Sequence, residues 1–493
     1  MFYSLTKSQF LQLAQQKKYI AVHREVLADT FTPIAVFESL VPENSHAMLL
    51  ESGLKFRESG SFSFIGYHPY ATFATKNGTT QITFGKQIES HQHAPLELLR
   101  EFQQRFHCVS DTKAKLAGHM MGFFAYDAVR YFENIPDCHA DDENLPDILF
   151  HFYRINFVFD HDSNKLLIAI IAQVDSTPEA AYDQANAELE NIIMQLKQSS
   201  PSVSLTTHSL DIRAEERLFT TDCDDAAYEH QVMAAKKYIR AGDAFQIVLS
   251  RSFSKPLKTP PMNIYRILRH SNPTSYMFYF TAPHFTVFGA SPEKLVSVQD
   301  GKVTIAPIAG TASVTEEATE IIAQRLRDDD KECAEHMMLV DLGRNDIGGV
   351  CIPGTVKVSD LMTALRLTHV VHLVSYVRGQ LAQDFDAFDV LKAAFPAGTL
   401  SGAPKIRAME IIDELEASKR HFYGGAVCKF DALGNMDSCI MIRSGVIKEG
   451  VITVRAGAGL VYDSDPIKEA EETRHKARGV MRAVALAEGG VLS

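Results

Sequence analysis

The sequence has 493 residues, 46% of them hydrophobic, with 49 Lys and Arg against 61 Asp and Glu and a formal net charge of -12. This length and apolar content predict a stable globular protein and argue against disorder. The acidic balance, without a basic cluster, argues against a nucleic-acid partner. We find no run of about 18 apolar residues and no signal-peptide pattern, which predicts a cytoplasmic protein without membrane contact. The seven cysteines never form a CxxC pair, so neither a disulfide framework nor a zinc site is expected.

Apolar spacing predicts a mixture of strands and helices along the chain. The predicted strands are, in order, 156–160, 166–174, 244–251, 276–280, 286–289, 302–307, 441–448 and 451–456. The predicted helices are 178–197, 224–241, 316–341, 404–416 and 467–486.

A stretch rich in Ser and Thr, at about 198–221, has little apolar periodicity. Such composition is typical of a connection, so we predict two domains, 1–200 and 222–486. The second half alternates long strands with helices, which indicates large sheets covered by helices and therefore an α+β fold.

Two pairs of glutamates have the spacing that places side chains on one helix face. Glu332 and Glu335 lie in one predicted helix, and Glu469 and Glu472 repeat the spacing in the last one. Two such helices facing each other would offer carboxylate oxygens to Mg²⁺, which keeps positions open for water and an anionic substrate. Each pair alone is more simply a solvated helix face, because glutamate is mostly exposed.

Small residues mark two further segments. The loop at 395–405 leads into a predicted helix, whose free amides, with the hydroxyls of Thr399 and Ser401, suit a carboxylate. A plain loop and helix cap would explain that pattern equally well. Gly457 and Gly459 close a predicted strand, where glycines let backbone amides approach a ligand, although a bulge is the commoner reason for one glycine alone.

Three polar residues lie in apolar segments. His369 and His372, read as part of a strand, would lie on opposite faces, where a histidine is more often a core residue than a catalyst. Arg443 is a charge inside a predicted apolar strand and is therefore expected to have an anionic partner, as in a structural ion pair. None of these patterns is decisive alone, and their physical chemistry indicates only a magnesium enzyme with a small anionic substrate.

In combination, the motifs resemble the chorismate-utilising enzymes along nearly the whole second half. The matching segments are GDAFQIVLS at 242–250, GASPE at 289–293, PIAGT at 307–311, AEH at 334–336, DLGRND at 341–346, the loop at 397–405, YGGA at 423–426, AGAG at 456–459 and EAEET at 469–473. The segments DTFTP at 29–33, LLES at 49–52 and GFFAYD at 122–127 look like those of anthranilate synthase large subunits. The resemblance implies large antiparallel β-sheets packed as a sandwich with helices outside, a regulatory first domain and a chorismate-binding catalytic second domain.

Two positions separate the reactions within that family. Enzymes that make 4-amino-4-deoxychorismate carry a lysine nucleophile where this chain has Ala309. Isochorismate and salicylate synthases carry a lysine base, which activates water, where this chain has Gln246. The resemblance therefore implies a lyase that adds ammonia at C2 of chorismate, releases the C4 hydroxyl and eliminates pyruvate to give anthranilate, the first step of tryptophan biosynthesis.

The resemblance also implies roles for individual residues. It implies Glu335 and Glu472 as Mg²⁺ ligands, with Glu332 and Glu469 beside them. It implies four catalytic residues, which are His372, Glu293, Thr399 and Gln246. Among them, Glu293 is a candidate to protonate the leaving hydroxyl, and His372 is associated with pyruvate loss. The residues implied in binding the substrate or product are Gly310, Thr311, Tyr423, Arg443, Ala456, Gly457, Ala458, Gly459 and Lys476.

Ammonia supply and control are implied in the same way. Because no segment fits a compact glutamine-hydrolysing domain, the resemblance implies a separate glutamine amidotransferase partner. It also implies feedback inhibition by tryptophan, held around Leu50, Glu51, Ser52, Ser275, Tyr276 and Met277. Ser275 stands where the family has proline, and 312–315 replaces the family's Arg-Pro-Arg-Gly. Two alternatives stay open: a 2-amino-2-deoxyisochorismate synthase without the lyase step, and a non-catalytic subunit that only binds tryptophan.

Overall fold

The computed structural model describes residues 5–53, 61–109, 118–174, 177–198, 215–315, 317–366 and 370–489. The helices are α1 (Lys7–Ala14), α2 (Pro33–Leu40), α3 (Pro95–Arg105), α4 (Pro178–Gln198), α5 (Asp225–Ala241), α6 (Pro261–Ser271), α7 (Thr319–Arg327), α8 (Asp330–Gly348), α9 (Ala387–Ala394), α10 (Gly398–Ser401), α11 (Lys405–Leu415) and α12 (Pro466–Gly489), and a 3₁₀ helix spans Tyr126–Tyr131. The strands are β1 (Tyr19–Leu27), β2 (Ala47–Glu51), β3 (Phe62–Lys76), β4 (Thr79–Phe84), β5 (Gln87–Gln92), β6 (Cys108–Val109), β7 (Met120–Phe124), β8 (Ile148–Asp160), β9 (Lys165–Gln173), β10 (Thr220–Thr221), β11 (Gln246–Pro256), β12 (Tyr276–Ala282), β13 (Phe285–Ser291), β14 (Lys294–Gln299), β15 (Lys302–Ile305), β16 (Ile308–Ser313), β17 (Lys357–Arg366), β18 (Val370–Gln380), β19 (Gly402–Ala403), β20 (Ala426–Phe430), β21 (Met436–Ile440), β22 (Ser444–Lys448) and β23 (Val451–Leu460).

Two large antiparallel sheets share the long strands β3 and β8, which pair along nearly their whole length. One sheet continues from β3 through β2, β12, β13, β22, β23 and β11, and from β8 through β9 to β1. The other continues from β8 through β7, β20, β21, β14, β15 and β18, with β16 and β17 also along β18. The predicted α+β fold with antiparallel sheets is confirmed.

Side chains alternate along each strand, so both faces of each sheet carry apolar groups into a core. Between the sheets, Met48 and Phe278 of one sheet pack with Phe123 and Val427 of the other. On the outer face of the first sheet, helices α2, α4, α6 and α12 bury a second core, and α3, α8 and α9 cover the second sheet. The molecule is a sandwich with helices outside.

Two predicted elements differ from the observed ones, while every other predicted strand and helix overlaps an observed element. The helix predicted at 316–341 is instead α7 and α8, because the Asp329 carboxylate accepts hydrogen bonds from two backbone amides, at 2.9 and 3.1 Å, and caps a new helix. The strand predicted at 441–448 begins only at Ser444, because Arg443 has a φ of 51°, in the left-handed region that interrupts an extended strand.

Strands of the two predicted domains pair with each other. β2 pairs with β12, and β7 pairs with β20. Most of the predicted connection lies at 199–214, outside the described residues. The division at 1–200 and 222–486 therefore stays a prediction, and the sheets extend across it.

Candidate active site

Elements that are far apart in the sequence bring the predicted site residues together. Gln246 begins β11, Gly310 and Thr311 lie in β16, His372 lies in β18, and 456–459 lie in β23. The remaining residues are Glu332 and Glu335 in α8, Thr399 in α10, Glu469, Glu472 and Lys476 in α12, and Glu293, Tyr423 and Arg443 in loops.

Glu293 and Thr399 form a hydrogen-bonded pair. The Thr399 hydroxyl donates to Glu293 Oε1 at 2.9 Å. Burial raises the pKa of Glu293 from 4.5 to about 7, and the Thr399 hydrogen bond and the charge of Lys476 lower it only in part. The backbone is also fixed, because the Glu293 amide donates to Ser291 Oγ at 3.3 Å and its carbonyl accepts from the Ile440 amide at 3.1 Å. The pair therefore contains a carboxyl group that titrates near neutral pH.

The four predicted metal ligands lie close enough to repel one another. Burial raises the pKa of Glu332, Glu335 and Glu469, and the negative charge of Glu472 raises all three further. Lys476 Nζ lies 2.7 Å from Glu472 Oε1. Within the described part of the chain, no three possible ligands converge to metal-binding distance. The four carboxylates nevertheless fit Mg²⁺ chemically, since they are oxygen donors whose mutual repulsion a divalent cation would remove.

Arg443 has no ion pair among the residues that the structure describes, so the expected anionic partner is not found. Its guanidinium donates from Nη1 to the Lys476 carbonyl at 2.9 Å. Lys476 Nζ in turn donates to the Gly457 carbonyl at 3.1 Å. Arg443 lies in a loop in a left-handed backbone conformation, and burial lowers the pKa of its guanidinium, which the charges of Tyr423 and Glu472 offset only in part. A guanidinium of this kind is suited to an anionic ligand.

Two glycines let β23 approach its neighbours. A Cβ on Gly457 would lie 2.5 Å from the Leu249 carbonyl and 3.0 Å from the Tyr423 hydroxyl, and one on Gly459 would lie 2.8 Å from Gln246 Nε2. Burial raises the pKa of Tyr423 to about 12, so its hydroxyl stays a hydrogen-bond donor. Gln246 is 4% exposed, and its buried Oε1 has no hydrogen-bond partner among the described residues. The amide of Gln246 therefore offers an acceptor and no basic nitrogen.

His372 lies next to Gly310 at the junction of β16 and β18. Its Nδ1 lies 3.1 Å from the Gly310 carbonyl, which can only accept, so Nδ1 carries the hydrogen and Nε2 the lone pair. Burial lowers the pKa of His372, as does the charge of Arg443, and the imidazole is neutral at pH 7. Gly310 has a φ of 74°, and a Cβ there would lie 3.4 Å from Glu332 Oε2. The histidine and the acidic cluster are thus neighbours.

The other predicted residues are placed less directly. The side chains of Ala456 and Ala458 pack into two separate cores, so only their backbone can face a ligand. Thr311 pairs with His372 in the sheet, but its side chain lies outside the described residues. His369 also lies outside them, so its predicted position opposite His372 stays a prediction.

A buried ion pair beneath the site was not predicted. Arg420 and Glu416 are each 4% exposed and bond to each other, to Ser250 and to the backbone around the site. Their spacing of four residues is typical of an ordinary surface pair on a helix, so it gave no signal. Their closeness to the motif that begins at Tyr423 is the only sequence feature that distinguishes them.

The residues predicted to bind tryptophan divide between the two faces of one sheet. In β2 and β12, Glu51 pairs with Met277, and both side chains are buried on the outer face. Glu51 Oε2 accepts hydrogen bonds from the Tyr265 hydroxyl at 2.6 Å and from Arg269 Nε at 3.0 Å. Glu51 is therefore bound by the protein itself.

Leu50 and Tyr276 lie on the opposite face, where both are partly exposed. The Tyr276 hydroxyl donates to Asp437 Oδ1 at 3.2 Å. Lys429, which pairs with Asp437 across β20 and β21, places its ammonium 3.7 Å from the centre of the Phe64 ring. We call Leu50, Phe64, Tyr276, Lys429 and Asp437 the amino-acid surface. Lys429, Asp437 and Phe64 were not predicted, because no local pattern connects the hairpin of β20 and β21 with the distant strand β3.

Comparison with known proteins identifies the family. The sequence model of the chorismate binding enzymes matches residues 45–482, and the chain belongs to this family of enzymes. The chain is 42% identical over 496 residues to anthranilate synthase component 1 of Pseudomonas aeruginosa, covering 99% of this chain and 100% of the relative. It is 39% identical over 490 residues to anthranilate synthase component 1 of Acetivibrio thermocellus, covering 98% and 99%.

Solved structures agree with this assignment. Anthranilate synthase component I from Streptococcus pneumoniae superposes with a TM-score of 0.76 at 34% identity, covering 93% of this chain and 99% of that chain. The menaquinone-specific isochorismate synthase of Escherichia coli, at 19% identity and a TM-score of 0.71, shares the fold. Of the helices described, none combines the length and apolar character needed to cross a membrane.

Proposed function

We propose that this chain is the synthase component of an anthranilate synthase, which converts chorismate and ammonia to anthranilate and pyruvate with Mg²⁺. The observation that carries the proposal is the pairing of Glu293, whose pKa is raised to about 7, with Thr399 in a site that has Gln246 and Ala309 where relatives of other specificity have lysine. Such a site supplies an acid for a leaving hydroxyl but no lysine base for water and no lysine nucleophile. Ammonia needs neither, because it is itself a nucleophile.

Glu293 is the proposed acid for the departing C4 hydroxyl. Because Thr399 donates to Oε1, the proton is left on Oε2, where it can be transferred to the leaving oxygen as ammonia adds at C2. A pKa of about 7 suits this transfer at neutral pH. The product of this step is 2-amino-2-deoxyisochorismate.

The substrate carries two carboxylates, and the site has groups for both. Arg443, the Tyr423 hydroxyl and Lys476 are the proposed partners of one carboxylate, since each is a donor. Glu335 and Glu472, with Glu332 and Glu469, would hold Mg²⁺, and the bound cation would neutralise the ring carboxylate.

His372 is the proposed base in the second step. Its Nε2 lone pair can accept the C2 proton as enolpyruvate leaves and the ring becomes aromatic. The carbonyl of Gly310 fixes this tautomer, so the histidine is prepared for proton abstraction rather than for donation.

The proposal is tested by supplying purified chain with chorismate, Mg²⁺ and ammonium at alkaline pH while following anthranilate fluorescence. We expect anthranilate and pyruvate in equal amounts. Accumulation of 2-amino-2-deoxyisochorismate would identify the enzyme without lyase step, isochorismate would identify water as the nucleophile, and no turnover of chorismate would indicate a non-catalytic subunit.

We also propose a glutamine amidotransferase partner, because the relatives are named as a first component. With glutamine in place of ammonium, the chain alone is expected to make no anthranilate, and addition of an amidotransferase component should restore it. Glutamine-dependent activity of the chain alone would contradict the proposal.

We infer that tryptophan binds the amino-acid surface and inhibits the reaction. Lys429 supports this, because its ammonium lies over the ring of Phe64 and has no ion pair among the described residues, although the charges of Asp437 and Asp431 reach it. Burial lowers the pKa of Lys429, and a carboxylate ligand would stabilise its charge. Asp437 offers an acceptor for an amino group, and Leu50 and Tyr276 offer apolar contact.

The Lys429→Met variant should therefore need more tryptophan for half-inhibition, by about tenfold or more, because a charge-assisted hydrogen bond is lost. Uninhibited kcat and the KM for chorismate should not change. Exposed Lys302 provides the control, since Lys302→Met removes a charge away from this surface. An unchanged half-inhibition concentration in Lys429→Met would place tryptophan elsewhere.

A further inference from the structure

Arg420 and Glu416 form an ion pair that is closed to solvent. Arg420 Nε donates to Glu416 Oε2 at 2.9 Å, and Nη2 donates to Glu416 Oε1 at 2.5 Å, so the pair is bidentate. Each side chain is 2% exposed. Neither residue has a role in the reaction proposed above.

The remaining donors of Arg420 reach the backbone of two segments of the site. Nη1 donates to the Leu400 carbonyl at 2.6 Å, directly after Thr399. Nη2 donates to the Val248 carbonyl at 2.6 Å, two residues after Gln246 in β11. One guanidinium therefore joins the backbone next to Thr399 to the backbone of β11 two residues after Gln246.

Glu416 and the ring contacts extend the arrangement to two further segments. Glu416 Oε1 accepts from the Ser250 amide at 2.6 Å and from Ser250 Oγ at 2.8 Å. Glu416 Oε2 lies 3.4 Å from Arg455 Nη2, in β23 immediately before the small residues of the site. The Arg420 guanidinium carbon also lies 5.8 Å from the centre of the Tyr423 ring.

We propose that Arg420, held by Glu416, is a positioning residue for the reaction, which fixes Thr399, Gln246 and Tyr423 relative to one another. This rests on the proposed function, because it assumes that these three residues act on chorismate. Arg420 touches no reacting atom and acts only through the segments that it joins.

The energetics of buried ion pairs favour this role over simple stabilisation. Replacing such a pair with uncharged groups of similar volume is often neutral for folding, because the cost of desolvation offsets the attraction. The planar guanidinium instead holds its N–H donors in fixed directions, and two of these donors bond to carbonyls of segments that carry a site residue. A misplacement of about 1 Å in a reacting group can lower a rate about 100-fold.

The test removes both charges together in the Arg420→Met/Glu416→Gln variant. Arg455 loses Glu416 but keeps Asp222, whose Oδ2 lies 3.7 Å from Arg455 Nη2, so no buried charge is left unpaired. The glutamine Oε1 can still accept from Ser250. We expect a folded protein in which kcat falls about 100-fold while the KM for chorismate rises less than about fivefold. Arg420→Lys keeps the charge and one of the carbonyl contacts, so it should recover part of the lost kcat.

A double-mutant cycle with Thr399→Val separates positioning from general damage. If Arg420 acts through Thr399, the Thr399→Val substitution should lower kcat much less in the Arg420→Met/Glu416→Gln background than in the wild type. Equal factors in the two backgrounds would show that the residues act independently, and that result would overturn the proposal.

A matched control comes from the far end of β11. Lys255 and Glu488 also form a buried ion pair, with Nζ 2.7 Å from Oε2, but away from the predicted site residues. The Lys255→Met/Glu488→Gln variant should change the melting temperature by a similar amount, keep the wild-type kcat, and leave the effect of Thr399→Val unchanged.

The outcomes distinguish this proposal from the proposed function. If the wild-type chain makes no anthranilate, the function is wrong whatever the variants do. If it does, a kcat within about threefold of wild type in Arg420→Met/Glu416→Gln overturns the positioning role. If that variant does not fold, Arg420→Lys alone decides. A wild-type kcat in Arg420→Lys, or an effect of Thr399→Val that is the same in Arg420→Lys as in the wild type, would contradict the proposal.

Discussion

The Glu293→Gln variant is expected to be more stable than the wild-type chain at pH 8 and to lose at least about 99% of its activity. Burial raises the pKa of Glu293 from 4.5 to about 7, so the folded state opposes its ionisation. Wild-type stability should therefore fall relative to the variant as the pH rises from about 4.5 to about 7 and then stay constant, with a total loss of about 3 kcal/mol. Below pH 4.5 the carboxyl group of Glu293 is protonated in both the folded and the unfolded state, so this pH-dependent difference in stability between wild type and variant vanishes.

Urea unfolding at pH 4.5 and pH 8 measures this difference, and anthranilate fluorescence measures the activity. Glu101→Gln, in the exposed part of α3, is the control and should change neither. A stability difference between Glu293→Gln and wild type that is the same at both pH values would show that Glu293 is not held protonated.

The same group predicts the pH dependence of the wild-type reaction. With the concentration of free ammonia held constant, kcat/KM for chorismate should decline as the pH rises through about 7, because the free enzyme loses the proton of Glu293. At constant total ammonium the growing fraction of free ammonia opposes this decline. A kcat/KM that stays level from pH 6 to pH 9 at constant free ammonia would remove Glu293 as the acid.

The second large effect is expected for Glu335→Gln. Without Mg²⁺ this variant should be more stable than the wild type at neutral pH, because burial, together with the charge of Glu472, opposes ionisation of Glu335 in the folded state. Mg²⁺ should raise the melting temperature of the wild type, since a ligand that binds the folded state stabilises it, and should not raise that of the variant. Activity should fall at least about 100-fold.

Thermal melting with and without Mg²⁺ gives a result that does not depend on turnover. Asp341→Asn, also in α8 but exposed, removes a carboxylate from the same helix and should keep the response to Mg²⁺. If Mg²⁺ raises the melting temperature of Glu335→Gln as much as that of the wild type, the cation binds elsewhere.

Local patterns predicted most of the elements, and the exceptions have identifiable causes. Apolar alternation marked the long strands well, because both faces of each sheet are buried. The break between α7 and α8 depends on the capping geometry of Asp329, which helical periodicity does not show. The left-handed conformation of Arg443 has no signature in a residue with a side chain, so the sequence indicated a strand that continues through it.

The site was predicted as a set of residues but not as an arrangement. Resemblance indicated Glu293 and Thr399 separately, and only the fold shows that one donates to the other. It grouped Glu51 with Leu50, whereas strand alternation places them on opposite faces of a sheet. Arg420 and Lys429 were missed for a shared reason, because each also contacts a segment that is distant in sequence, Val248 for Arg420 and Phe64 for Lys429.

The amino-acid surface is connected to the proposed acid, Glu293, through the backbone of two strands. Tyr276 pairs with Ser291 across β12 and β13, and Ser291 Oγ accepts a hydrogen bond from the Glu293 amide. Asp437, on the same surface, lies in β21, whose last residue, Ile440, bonds to the Glu293 carbonyl. Both peptide groups of Glu293 are thus tied to strands that the inhibitor would contact. Small changes in the spacing of these strands would then change the orientation of the Glu293 carboxyl group, and inhibition would require no movement of whole domains.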